Sequence, residues 1–534
     1  MNAVHANGWW SGVSGSPTLA AAVTGIYVST FYIMGNTTML PAMSVLVILL
    51  ALTLPISFSV AVVNGLLRRI RGDSYIGFVS LFICALYLLV VLRVPVFSIR
   101  SVSAFRSQFE GIGWFLVHVV IFLTLAAVIA YTFHRNLGKY MIVLTAMSLA
   151  AVALGIATPA VGDATWRATH VNKSEENPYS IELAQNPNIY LVVADGYGSF
   201  AFMQDNHIDV STFRKTLQEM NFRLYDEVFS NYHSTNPAML AMLNMEHHYY
   251  FTTFNASEID KKSRAIIAGR NNLTRLLTGN GYRTEYIHQG DYLLLHGCTA
   301  DYCYPRPSSI SGARNVLRKI LPSAVKRMFP AAKLQWQKQP REKISEVIVG
   351  LTDAGTATQN PLFRYIHMYE PGHTPNEVAG ACDEKAQLEA YSRRIESINL
   401  YLSILIESIN DVDPSAVIVV AGDHGPFITQ RCQRNVDLGT LAGYRDRAGS
   451  LLAIRWPGDY HGQYDLRIKT TVNLFRYVLA SLADTPTAIL STIVPDNVYI
   501  RGTDGVLQIV TNGDITIPPK MFDGIENQEE ESAE

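Results

Sequence analysis

Five apolar stretches crowd the first 161 residues of this 534-residue chain and leave few architectures open to it. They run Thr18–Gly35, Met39–Leu67, Ile76–Val94, Ile112–Phe133 and Met141–Val161. Most of them reach the ~20 residues with which a helix crosses a bilayer. A helix apolar all round finds its solvent in lipid or in a large core. The pattern predicts an N-terminal α-helical transmembrane bundle of about five helices over residues 1–161. The first stretch also fits a cleaved signal peptide. No Lys or Arg precedes it, however, and the apolar pattern continues, so a retained anchor is the expectation.

Short-loop charges orient such a bundle. Arg68, Arg69 and Arg71 follow the second stretch, and Arg135 and Lys139 follow the fourth, which puts both loops in the cytoplasm. Arg100 and Arg106 on the opposing loop make the bias modest. The expectation is a multi-pass cell-membrane protein with everything after residue 162 on the outer side, periplasmic or extracellular. Residues 162–186 are polar and mixed, as a linker is. With 43 Lys+Arg against 45 Asp+Glu, net charge argues for no nucleic acid partner. An outer location also favours pairing Cys298 with Cys303 and Cys382 with Cys432 over four reduced thiols.

Beyond the linker two short apolar runs, Asn188–Asp195 (NIYLVVAD) and Val417–Pro426 (VIVVAGDHGP), read as buried strands. Each ends in a carboxylate beside glycine: Asp195 before Gly196, and Asp423 with His424 between Gly422 and Gly425. In open α/β sheets ligands gather at the carboxyl ends of strands. A metal site and an ordinary polar turn both fit either stretch alone. Gly422 and Gly425 would let backbone approach an ion or phosphate.

Between these strands, Thr235, Asn236 and Pro237 open a buried helix through Met239, Leu240, Met242 and Leu243. A hydroxyl at a helix N-terminus beside a metal is poised as a nucleophile. Ser234 or Thr235 also fits as an N-cap, the commonest reason for such residues there. Phe363–Pro375 reads as a strand with His367 in it and a turn with His373, each equally a structural histidine. Arg306–Lys343 carries ten basic residues against Glu342, with apolar residues at helical spacing, which suits a solvated helix or one docked on anionic headgroups. His461 sits in a surface turn. A long helix over 381–410 leads into the Asp423 strand, a final helix spans Thr471–Leu482, and the chain ends in an acidic tail.

Taken together, Asp195, Thr235, His373, Asp423 and His424, in this order, resemble the alkaline phosphatase and sulfatase superfamily. Five membrane spans before such a domain are similar to lipoteichoic acid synthases and, more loosely, to phosphoethanolamine transferases. The resemblance covers roughly residues 186–500. It implies an alkaline phosphatase-like mixed sheet between helices, and it divides the chain into a transmembrane domain (1–161), a linker (162–186), a catalytic domain (187–510) and a tail (511–534).

It also implies a site in which Asp195, Thr235, Asp423 and His424 hold a divalent metal, with Thr235 as the nucleophile and His367 and His373 binding substrate. Sulfatase nucleophiles begin a Cys/Ser-x-Pro-x-Arg pattern. Here the run is Thr235, Asn236, Pro237, Ala238, Met239, so proline is kept while the modifiable first residue and the arginine are gone. That departure points away from a formylglycine sulfatase and toward branches that use threonine. Two carboxylates, an imidazole and an alkoxide suit zinc or manganese, as one or two ions. The implied activity moves a phosphoglycerol or phosphoethanolamine group from a phospholipid donor to a surface glycan or lipid through covalent Thr235. The alternatives are a phosphodiesterase, phosphatase or atypical sulfatase with the same site, and an inactive membrane-anchored binding factor.

Overall fold

The structure is a computed structural model and describes residues 16–34, 42–70, 76–92, 112–133, 136–149, 181–248, 264–294, 297–304, 360–372, 384–428, 439–458, 462–501 and 506–521. Its described residues fall into two compact units, helices between 16 and 149 and an α/β unit from 181 onward. His373, His461, Cys382, Cys432 and the basic segment 306–343 lie outside the described residues.

The first unit contains helices Pro17–Met34, Ala42–Ile70, Ile76–Leu92 and Ile112–Phe133 and the shorter apolar helix Leu137–Leu149. Among the described residues one helix, Ser44–Arg69, is long and apolar enough to cross a membrane. Among the described residues searched, the other apolar segments, Ile76–Leu88, Leu123–Phe133 and Leu137–Leu149, are shorter. Five spans, and with them a transmembrane bundle, are therefore not carried by the described helices. Small residues let the first two helices meet closely: a Cβ added at Gly25 would lie 2.6 Å from Thr53 Cα. Polar side chains turn inward, with Thr24 Oγ1 3.0 Å from Tyr140 OH and Ser80 Oγ donating to Asn64 Oδ1 at 2.7 Å.

The second unit is built on a seven-stranded sheet of β1 (Ile189–Ala194), β2 (Phe222–Phe229), β3 (Arg283–His288), β4 (Tyr302–Tyr304), β5 (Leu362–Met368), β6 (Val417–Gly422) and β7 (Gly449–Arg455). Strand order is β2-β7-β6-β1-β5-β3-β4, with β7 running against both neighbours and the other adjacent pairs parallel. This is the mixed α/β sheet that the resemblance implied. A second sheet, β8 (Val498–Arg501), β9 (Val506–Thr511) and β10 (Asp514–Met521), is antiparallel.

Alternation along the central strands explains why helices cover both faces. Every residue of β1 and β6 is buried, and successive side chains point to opposite faces. Leu191, Val193, Val419 and Ala421 pack with Met239 and Met242 of α1 (Thr235–Asn244) and with Phe475 and Val478 of Leu474–Leu482. Tyr190, Val192, Ile418 and Val420 pack with Ile395, Ile398 and Leu402 of α2 (Glu384–Val412). A sheet buried on both faces is what continuous apolar runs, rather than alternating ones, encode. Cys298 and Cys303, the latter in β4, form the expected disulfide.

Candidate active site

Neighbouring parallel strands in register bring the two acidic turns together. Ala194 of β1 pairs with Gly422 of β6, so Asp195 and Asp423 emerge side by side at the carboxyl edge of the sheet. Packing of α1 against the sheet brings its first residue, Thr235, to the same edge, where Thr235 Oγ1 lies 3.3 Å from His424 Nε2. One ligand atom from each of Asp195, Asp423 and His424 lies within 4.8 Å of the others. Ser234, not Thr235, is the N-cap, and its side chain makes no cap hydrogen bond. The Thr235 hydroxyl is therefore turned toward the acidic turns rather than engaged in capping.

The Asp423 carboxylate is held by backbone of both turns. Asp423 Oδ1 accepts from the amides of Gly196, at 2.8 Å, and His424, at 2.9 Å. His424 Nδ1 donates to the Gly425 carbonyl at 2.7 Å, which leaves a lone pair on Nε2. Gly422 and Gly425 serve close packing of protein on protein rather than approach to a ligand. A Cβ at Gly422 would lie 2.2 Å from Tyr197 O, and one at Gly425 would lie 2.4 Å from Asp446 O.

What remains after these bonds is the donor set. Asp195 Oδ1 and Asp423 Oδ2 are buried without a hydrogen-bond partner. They lie 3.7 and 3.4 Å from His424 Nε2. Buried carboxylate oxygens do not stay unpaired without a counter-charge. Burial, then the charge of Asp423, raises the Asp195 carboxyl. Burial opposes ionisation of Asp423 too, but His424, His367 and the Gly196 amide hold it below the usual carboxylate range. Two oxygens, one imidazole nitrogen and a hydroxyl converging in this way fit a divalent cation.

A sequence model of the sulfatase family matches residues 187–482, more than half of the chain. The chain belongs to the sulfatase family. It is thus an enzyme of the alkaline phosphatase superfamily, and the matched residues span the strands and the helix that carry the site. Among solved structures this sulfatase-family chain is similar to the C-terminal periplasmic domain of EptC from Escherichia coli in complex with Zn, at 11% identity and TM-score 0.37, over 63% of this chain and 97% of that one. It is also similar to the lipoteichoic acid synthase LtaP from Listeria monocytogenes, at 14% identity and TM-score 0.35, over 64% and 87%. The phosphonate monoester hydrolase of Agrobacterium radiobacter matches at 13% identity and TM-score 0.38, over 63% and 89%. Likenesses this distant carry no argument about substrate. No curated protein matches the chain.

Two histidines lie along the same sheet edge of this sulfatase-family chain. His367 lies on β5 opposite Val193 of β1, and its Nδ1 is 2.6 Å from Tyr365 OH. Burial keeps that phenol protonated, so with the phenol donating the imidazole proton sits on Nε2, which has no partner. His288, at the end of β3, pairs in register with His367 and has both ring nitrogens buried without partners. Burial draws His367 down to about 4, and burial followed by the neighbouring His367 draws His288 well below its ordinary value, so both are neutral near pH 7. Sequence reading found His367 and passed over His288. The signal was the same in both, a histidine at the end of a buried strand.

Proposed function

We propose that this enzyme is a membrane-anchored, metal-dependent phosphotransferase. It moves a phosphoglycerol or phosphoethanolamine group from a phospholipid to a surface glycan or lipid through a covalent phospho-Thr235 intermediate. The observation that carries the reading is the convergence of the unpaired Asp195 Oδ1 and Asp423 Oδ2 with His424 Nε2 upon a threonine hydroxyl at a helix N-terminus.

Asp195, Asp423, His424 and Thr235 hold the ion, and this oxygen-rich set with a single imidazole favours zinc or manganese over a thiol-loving metal. When bound, the ion supplies a Lewis acid that lowers the pKa of the Thr235 hydroxyl and neutralises charge on a phosphoryl oxygen. Thr235 Oγ1 attacks phosphorus in line. The bond to the lipid alcohol breaks, and that alcohol leaves carrying, in net balance, the proton that the Thr235 hydroxyl gives up. An acceptor hydroxyl then attacks the phospho-threonine and returns the Thr235 oxygen as leaving group. The α1 N-terminus stabilises the negative charge that gathers on the group in transfer. His367, with a neutral Nε2–H free of protein partners, donates to a phosphoryl oxygen or to the leaving alcohol, and His373 serves the same substrate. A second ion would draw on the same histidines.

The anchoring part rests on a helical unit that is apolar outside as well as inside. Leu46, Leu50, Leu54, Phe58, Val62 and Leu66 form an exposed apolar stripe at four-residue spacing along Ala42–Ile70, while Thr24, Ser29, Asn64 and Ser80 are buried. Lipid is the solvent that such a surface fits. Residues 1–161 are then the multi-pass anchor, 162–186 the linker, 187–510 the catalytic domain on the outer side and 511–534 the tail. Nucleotide donors are scarce outside the membrane, which favours a lipid headgroup as donor.

The deciding experiment is intact mass of the full-length protein incubated with mixed phospholipids and divalent metal, beside Thr235→Ala. A phosphoglycerol or phosphoethanolamine increment confined to the wild type and mapped to Thr235 establishes the covalent step. Bound metal without an adduct, with hydrolysis of small phosphate diesters, would replace the transferase reading by the hydrolase one.

A further inference from the structure

The residue that follows the Asp423–His424 turn and its proline has an unusual backbone. Phe427 has φ +61°, a left-handed conformation that a bulky side chain adopts only where its surroundings impose it. Here they do so through three bonds to the end of α3 (Leu441–Ala448). Gly425 N donates to Arg447 O at 3.1 Å, Phe427 N to Asp446 O at 3.1 Å, and Ile428 N to Asp446 Oδ1 at 2.8 Å.

This strap places the Phe427 ring against the His424 ring and under the Arg447 guanidinium, with the His233 ring tilted beside it at 6.0 Å between centroids. Against His424 the rings stand edge-on, with centroids 5.3 Å apart and planes at 87°. Over the Phe427 ring lies the Arg447 guanidinium, its Cζ 4.8 Å from the centroid. Arg447 is 8% exposed, its Nε has no hydrogen-bond partner, and among the described residues it forms no ion pair. Burying a guanidinium is costly, and the aromatic face together with the charge of the neighbouring Asp446 offsets part of that cost. Burial pulls its pKa down to about 10, with Asp446 opposing, so it remains a cation at neutral pH.

We propose that Phe427, locked by Arg447, is a positioning residue that fixes the plane of the His424 imidazole. Gly425 O sets which nitrogen carries the proton, while the aromatic edge sets the tilt of the ring and so the direction of the Nε2 lone pair. Groups that orient metal ligands from behind commonly change ion affinity 10–100-fold when removed. The inference rests on the reading that Asp195, Thr235, Asp423 and His424 hold a cation.

The test titrates full-length protein with zinc or manganese alone, by calorimetry, in wild type, Phe427→Gly, Arg447→Met and Arg447→Lys. Glycine accepts φ +61° without strain, so Phe427→Gly removes the ring without burdening the backbone. The expected result is ion binding about tenfold weaker in Phe427→Gly and Arg447→Met, with Arg447→Lys, which keeps a cation over the ring, close to wild type. A merely structural role would leave ion affinity unchanged in Phe427→Gly. If Phe427→Gly binds the ion as tightly as wild type, the inference is overturned and the cation reading stands. If wild type takes up neither ion, both fall.

Discussion

Thr235 Oγ1 and His424 Nε2 lie 3.3 Å apart although 189 residues separate them in the chain. The packing of α1 on the sheet makes that contact, since Met239 and Met242 of the helix share a core with Val193 and Ala421 of the strands. Thr235 is the first helical residue and caps nothing, so removing its hydroxyl leaves the fold intact. Thr235→Ala is expected to lower group transfer by roughly a thousandfold or more, and Thr235→Ser to retain much of it. Product formation and adduct mass in the three proteins check this.

Metal removal follows from the two unpaired oxygens. An ion that binds the folded state alone stabilises it by about 2.7 kcal/mol at a hundred times its Kd. Chelation is therefore expected to lower the unfolding midpoint of the catalytic unit by roughly 5 °C. Asp423→Asn keeps the oxygen that accepts from Gly196 and His424 but replaces the unpaired one with an amide nitrogen. In that variant chelation should no longer shift the midpoint, as read by thermal unfolding with and without chelator.

Gly422 is where the β6 strand meets the Tyr197 backbone. Because an added Cβ would lie 2.2 Å from Tyr197 O, Gly422→Ala is expected to destabilise the α/β unit by about 3 kcal/mol or more. Gly279, at the end of helix Asn272–Gly279, has nothing within 4 Å of the same built atom. Gly279→Ala should change stability by less than about 1 kcal/mol. Denaturant unfolding of the two variants measures the difference.

How much of this was legible in the sequence depended on burial on both faces. The runs ending at Asp195 and Asp423 are apolar throughout, so they read as central strands, and the register sets the ends of those strands side by side. Strand β2 was not legible: its sequence FRLYDEVF breaks alternation with Asp226 and Glu227, where the pairing with β7 shifts register. In β10, Pro518 and Pro519 argue against a strand, and it forms at a sheet edge where missing donors are tolerated. At Thr235 the residues alone favoured a cap over a nucleophile, because the choice between them depends on tertiary packing. The five apolar stretches predicted helices, and a helix stands over the described part of each, with one, Ser44–Arg69, long and apolar enough to cross a membrane among the described residues.

A pH dependence follows from His367, which burial draws down to about 4 in the fold, while an unfolded histidine titrates near 6.5. Between those values the unfolded chain binds the extra proton, so stability rises with pH over this window. Acidification from about 6.5 to about 4 costs on the order of 1.4 kcal/mol per pH unit from this group. His367→Gln, which does not titrate, is expected to reduce the measured slope by about that amount in denaturant melts taken across the window, leaving the part that the likewise buried and lowered His288 contributes.

Phe58 tests the membrane part. It is 72% exposed on Ala42–Ile70, in line with Leu54 and Val62, whereas Leu400 on α2 of the α/β unit is 61% exposed. Exposure to water would make both sites tolerant of lysine, since surface substitutions away from special contacts move stability by about 0.5 kcal/mol or less. Exposure to lipid distinguishes them, because a lysine near the centre of a spanning helix costs roughly 2.5–3.5 kcal/mol on insertion. Phe58→Lys is therefore expected to reduce the carbonate-resistant membrane fraction of the full-length chain several-fold, and Leu400→Lys to leave it unchanged. Equal recovery of both variants with wild type in that fraction would mean that the stripe on Ala42–Ile70 does not face lipid.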